Sequence, residues 1–96
     1  MSYTIRIKDE DFGITYNVAP MFYKHNKLGI RFIYGKRGLE ASVLLLDMYL
    51  YFLDNHEELR ELDPDNGWGS WSETVDTLSN MITASILNPN DFWKGD

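Results

Sequence analysis

The chain has 96 residues, 44% hydrophobic and 15% aromatic, which suits one folded domain, is too short for two and is too apolar for a disordered tail. It contains no cysteine, which excludes a disulfide framework, a thiolate metal site and a thiol nucleophile. The net charge of −6 divides unevenly: residues 1–38 carry seven bases and three acids, whereas residues 39–96 carry two bases and twelve acids.

A basic sheet packed beside acidic, solvated helices accounts for that division. The opening Met1-Ser2-Tyr3-Thr4 lacks the basic and apolar regions of a secretory signal. The longest apolar stretch, Ala41 to Leu53, is interrupted by Asp47 and falls short of a bilayer span. The expectation is a protein of a bacterial-type cytosol, away from membranes.

Tyr3, Ile5 and Ile7 alternate with Thr4, Arg6 and Lys8, the period-two pattern of a half-buried strand. Asp9-Glu10-Asp11 reads as the turn that ends it, with Gly13 helping the chain reverse. Ile14 to Val18 is rich in β-branched and aromatic residues and predicts a second, short extended segment. Pro20 is expected to keep Ala19 extended and stop the pairing. Met21-Phe22-Tyr23-Lys24 fits either a strand or one helical turn. From Leu28 to Tyr34, Ile30, Phe32 and Tyr34 alternate with Arg31 and Ile33, which again predicts a strand.

The period then lengthens. Between Leu39 and Asp54 the acids Glu40, Asp47 and Asp54 recur every seven residues, and nearly everything else is apolar. Such a helix is expected to lie at the centre, covered on several sides. Asn55-His56-Glu57-Glu58 has the form of a capping box and predicts a kink and a short helix carrying Leu59 and Leu62. Asp63-Pro64-Asp65-Asn66-Gly67 is turn chemistry throughout. Ser70 and Glu73 form a further capping box and open the last helix, whose apolar stripe is Trp71, Val75, Leu78, Ile82 and Ile86. That helix ends at Asn88-Pro89, and residues 90–96 form a tail pinned by Phe92 and Trp93. The fold class that follows is α+β in a single domain, residues 1–38 mainly β and 39–89 mainly α. It combines a small antiparallel sheet of about three strands with two main helices and one short helix on one face.

Four segments carry a wider likeness: Tyr16-Asn17-Val18-Ala19-Pro20-Met21-Phe22, Gly35-Lys36-Arg37-Gly38, Leu53 to Glu57, and Asn66-Gly67-Trp68-Gly69-Ser70-Trp71. In these segments the chain resembles a group of small tailed-bacteriophage proteins of unassigned function. That group combines a Gly-Lys turn before a long Leu-rich helix with an Asn-Gly-Trp-Gly loop opening the last one. The likeness runs from Tyr16 to about Pro89. It departs where His56 replaces proline and where Ser70 and Trp71 replace aspartate and tyrosine. It implies a phage setting, and so the host bacterial cytoplasm, and implies no reaction.

Several residues are candidates for function. Gly35-Lys36-Arg37-Gly38 precedes the central helix, where free N–H groups and the positive dipole end can hold an anion; an ordinary turn with solvated bases is the expectation. Trp68, between Gly67 and Gly69, serves either as a core anchor or as a stacking platform, and core packing is the expectation. Tyr16, Asn17 and Asn66 could present a phenol and two amides to a ligand or cap local turns. The basic and aromatic residues between Phe22 and Tyr34 look like a nucleic-acid surface, but a pI near 4.7 argues against that partner. Asp63-x-Asp65 lacks the later ligands of a calcium loop. His25 and His56 have no neighbouring ligand at metal-binding spacing. No metal, cofactor or catalytic residue is therefore expected, and the chain is read as a non-enzyme.

The leading expectation is an accessory protein that binds and interferes with a host or host-defence protein. The alternatives are a sponge for a small phosphorylated nucleotide signal, using Lys36, Arg37 and Gly38 for phosphate and Trp68 or Tyr16 for the base, and a minor virion or assembly factor. Either a monomer or a homodimer is compatible with the sequence.

Overall fold

The computed structural model describes residues 2–96. Strand β1 (Ser2–Ile7) buries Tyr3, Ile5 and Ile7, the alternation that its sequence dictates. The chain reverses at Lys8-Asp9, with Lys8 in the left-handed region at φ 53°, and returns as β2 (Glu10–Thr15). The turn therefore lies earlier than Asp9-Glu10-Asp11 suggests. Arg6 stands opposite Asp11 in the antiparallel register, and Arg6 Nη2 donates to Asp11 Oδ2 at 3.1 Å. This cross-strand pair holds in the sheet two acids whose composition favours a turn. Gly13 sits within β2, opposite Thr4.

A 3₁₀ turn over Tyr16–Val18 leads into α1 (Ala19–His25). Ala19 is helical at φ −53°, ψ −37°, not extended as expected, because Pro20 occupies the first turn of the helix, where its missing N–H costs nothing. The segment read as a strand before Tyr34 is a second 3₁₀ turn, Gly29–Ile33. Its buried apolar residues, Ile30 and Ile33, are three apart and match the three-residue period of that helix.

The third strand comes from the other end of the chain. β3 (Trp93–Gly95) pairs antiparallel with β1, giving the order β2-β1-β3. What reads as a tail is thus an edge strand. Trp93 is fully buried, and its Nε1 donates to Ser85 Oγ at 2.9 Å.

Helices α2 (Gly38–Asp54), α3 (His56–Arg60) and α4 (Trp71–Leu87) complete the α+β fold. Ser70 caps α4 by accepting from the Glu73 N–H at 3.1 Å. Asn55 makes no such cap for α3; its amide donates back to the Tyr51 carbonyl at 3.0 Å. In α4, Trp71, Val75 and Leu78 are buried as expected, but Met81, Ala84 and Ser85 replace the half-buried Ile82 and the exposed Ile86.

The central helix departs most from expectation. α2 buries Ala41, Leu45, Met48 and Phe52 against the rest of the core. On its other side Leu39, Val43, Leu46, Leu50 and Leu53 face solvent, from 37% exposed at Leu53 to 66% at Val43. α2 is one wall of the core, not an interior rod enclosed by the other elements. With its helices gathered on one face of a three-stranded sheet, so short a chain has no further layer to place over it.

Two substitutions test this packing. Trp93→Ala removes the largest fully buried side chain and is expected to cost about 3–5 kcal/mol in urea unfolding. Gly38→Ala would set its Cβ 2.1 Å from the Asn88 carbonyl oxygen, so it is expected to lower stability by about 1–3 kcal/mol.

Candidate functional site

One depression gathers several of the candidate residues. Thr15, at the end of β2, accepts from the Asn17 N–H at 3.3 Å and from the Asn17 side-chain amide at 3.1 Å. This fixes the 3₁₀ turn and leaves Asn17 exposed. From the other side, the loop before α4 folds on itself. Asn66 Oδ1 accepts from the Trp68 N–H at 2.9 Å, and Asp63 Oδ1 accepts from the Trp71 N–H at 2.7 Å. Such asparagine and aspartate contacts replace backbone pairing in turns.

Gly69 brings the loop against the sheet. It adopts φ 96°, and a Cβ there would lie 2.6 Å from Thr15 Cγ2 and 3.0 Å from Val18 Cγ1. Only glycine satisfies both the conformation and the approach. Ser2, Thr15, Asn17, Asn66 and Trp68 line the resulting shelf, whose volume is about 410 Å³.

Trp68 is 68% exposed. The expectation of a core anchor is therefore corrected: the inward tryptophan of this segment is Trp71. Trp71 is buried, donates from Nε1 to the Phe52 carbonyl at 3.0 Å, and has the Arg60 guanidinium 4.3 Å from its ring centroid. The tight loop leaves Trp68 no route inward, while Trp71 begins a helix that faces the core. Tyr16, next to the shelf residue Asn17, packs edge-on against Tyr3 with ring centroids 4.5 Å apart.

Lys36, Arg37 and Gly38 lie elsewhere. The Gly38 N–H donates to the Asp91 carbonyl at 2.8 Å, and the Leu39 N–H to the Pro89 carbonyl at 3.1 Å. The two leading donors of α2 are thus taken by the chain itself. The Arg37 guanidinium lies 4.9 Å from the centre of the Phe92 ring. Gly38 serves the close approach of α2 to the end of α4, and the N–H groups that an anion would need are taken by the Pro89 and Asp91 carbonyls, in keeping with a structural turn.

Near these residues is a second cleft of about 510 Å³, lined by Arg6, Lys8, Asn90, Asp91, Phe92 and Lys94. The outward positions of Arg6 and Lys8 are legible in the β1 alternation. Lys94 is not, because its place depends on pairing with Arg6 across the length of the chain. The two depressions sit at opposite ends of β1, with Ser2 at one and Lys8 at the other, roughly 20 Å apart at strand rise. Trp68 and the cations do not form one site.

His25 gains a partner that local spacing could not reveal. Its Nε2 lies 2.8 Å from Asp47 Oδ2, and its ring packs against Phe32 and Tyr51, tying α1 to α2. Among the described residues no group of three or more His, Asp or Glu is placed to hold a metal ion. None of the described helices is long and apolar enough to cross a membrane. No protein-family model matches the chain, and no curated protein or solved structure matches it significantly.

Beside the shelf, burial and then a hydrogen bond with Tyr23 push the Tyr3 phenol up to about 12. The folded state therefore holds this proton more tightly than the unfolded chain, whose tyrosines ionise near pH 10. The contribution is complete below about pH 10 and is lost as pH climbs to about 12. Absorbance titration at 295 nm is expected to show one phenol ionising last, and Tyr3→Phe should remove that step together with the matching fall in stability.

Proposed function

We propose that the chain is a non-catalytic phage accessory protein, acting in the host cytoplasm, that binds a host or host-defence protein through the shelf around Trp68. The observation that carries this reading is the indole held in solvent by a loop pinned at Asn66, Gly69 and Asp63. Folding has already fixed the loop backbone that carries this large amphipathic side chain, so the loop itself loses little further conformational entropy when a partner covers it. Exposed tryptophans ringed by polar groups are frequent anchors of protein interfaces. The Asn17 and Asn66 amides and the Ser2 and Thr15 hydroxyls supply that ring here. The phage and host setting rests on the four-segment resemblance.

The nucleotide-sponge alternative is weaker on geometry. Among the described residues no cation lines the Trp68 shelf, and Lys36 and Arg37 belong to the far end of the sheet. A base stacked on the indole would be about a strand's length from Lys36 and Arg37, the residues expected to hold its phosphates.

Trp68→Ala separates binding from folding. Because the residue is exposed, stability should change by no more than about 0.5 kcal/mol. Affinity for the partner captured from host lysate should fall by about 30-fold or more. Equal capture by wild type and Trp68→Ala would overturn the reading. A thermal shift with nucleotides, lost in the same variant, would replace it with the sponge.

A further inference from the structure

The solvent face of α2 carries a feature that the Trp68 reading does not use. Leu39, Val43, Leu46, Leu50 and Leu53 are spaced four, three, four and three residues apart, and all five are exposed. At 100° per residue they fall within an arc of about 80°. Alternating steps of four and three are the spacing of a coiled-coil seam, in which two helices interlock at a shallow angle. A helix that needed only solubility on this side would carry polar residues there.

We propose that this seam is the interface of a homodimer in which two copies of α2 pack in parallel. A second copy is the occupant because a seam of this spacing is complementary to itself. Area supports the choice. The five side chains expose about 300–400 Å² of apolar surface per copy. With their polar flanks, two copies bury about 1,200 Å² in total, the lower edge for specific interfaces.

Charge selects the orientation. One flank of the seam carries Glu40, Asp47 and Asp54, and the other carries Ser42 and Tyr49. In a parallel pair Ser42, whose hydroxyl donates to the Leu39 carbonyl, lies opposite Asp47 of the other copy, and Tyr49 lies opposite Asp54, so each of these carboxylates faces an uncharged residue. In an antiparallel pair Glu40 meets Asp54 and Asp47 meets Asp47, which sets like charges together. The same acids disfavour a membrane surface, whose cytoplasmic leaflet is anionic.

The full chain is the test material. Sedimentation equilibrium should give twice the monomer mass at micromolar concentration. Leu46→Glu and Leu50→Glu, at sites already exposed, should keep the native circular dichroism while raising the dimer dissociation constant about 100-fold or more. The cysteine-free sequence permits a test of orientation. Leu39→Cys alone and Leu53→Cys alone should each form a disulfide-linked dimer under mild oxidation. A monomer at all concentrations, with or without binding to anionic vesicles, would overturn the proposal. Dimers that survive both glutamate variants, or cross-links found only when the two cysteine variants are mixed, would also overturn it.

Discussion

The C-terminal segment from Pro89 to Trp93 closes the structure. Its carbonyls at Pro89 and Asp91 accept the leading N–H groups of α2, and the Trp93 N–H donates to Lys36 at 2.9 Å. The Trp93 ring fills the space between the sheet and α4 and satisfies its indole N–H on Ser85. One short segment thus caps a helix, completes a sheet and plugs the core. These roles depend on one another. The cap needs carbonyls placed by the β3 pairing, and that pairing places Trp93 under α4. Loss of the tryptophan would leave a void at the junction and loosen the preceding Pro89 and Asp91 carbonyls that cover the donors of α2. Gly38 follows from the same constraint, because a side chain there would meet the carbonyls of Ser85 and Asn88.

Local pattern revealed the parts of the fold that local forces set. β1 was readable because three alternate apolar residues all face one core. α4 was readable because a serine cap and an apolar stripe agree. The third strand was not, since Trp93-Lys94-Gly95 has no pattern of its own and becomes a strand only by pairing with β1. The 3₁₀ turn at Gly29–Ile33 failed for another reason. Five residues contain too few repeats to separate a period of two from a period of three. α2 exposes a limit of composition as an argument for burial. Its sequence states that most of its surface is apolar, but the number of layers available to cover it is a property of the whole chain.

The two candidate motifs divide along the same line. Gly35-Lys36-Arg37-Gly38 looks like an anion site when only its own residues are considered, because helix N-termini begin with unpaired donors. Distant carbonyls have already paired them. The Asn66-Gly67-Trp68-Gly69 segment has the opposite history. The helical stripe of the sequence already turns Trp71 inward, but nothing in the loop's own pattern says whether Trp68 packs beneath it or stands in solvent. Trp71 opens a helix and is turned inward by its period. Trp68 sits between two residues at positive φ, on a loop pressed so close to Thr15 and Val18 that no indole fits beneath it.

That arrangement gives the glycines a part in binding without contact with a partner. Gly67 supplies a left-handed conformation in open space, whereas Gly69 supplies both the conformation and the close approach. Together they fix the backbone from which the indole projects before any partner arrives. The entropy of ordering the loop is spent during folding, where Asn66 and Asp63 offset it through their backbone hydrogen bonds. A two-fold pairing of α2 helices would add to this effect. It would hold two such indoles on one particle, and a second contact made within a complex draws on a high local concentration, not on the bulk. A small chain with a shallow shelf can then bind a repeated or symmetric target far more tightly than one shelf alone, provided the spacing of the two shelves matches that of the target.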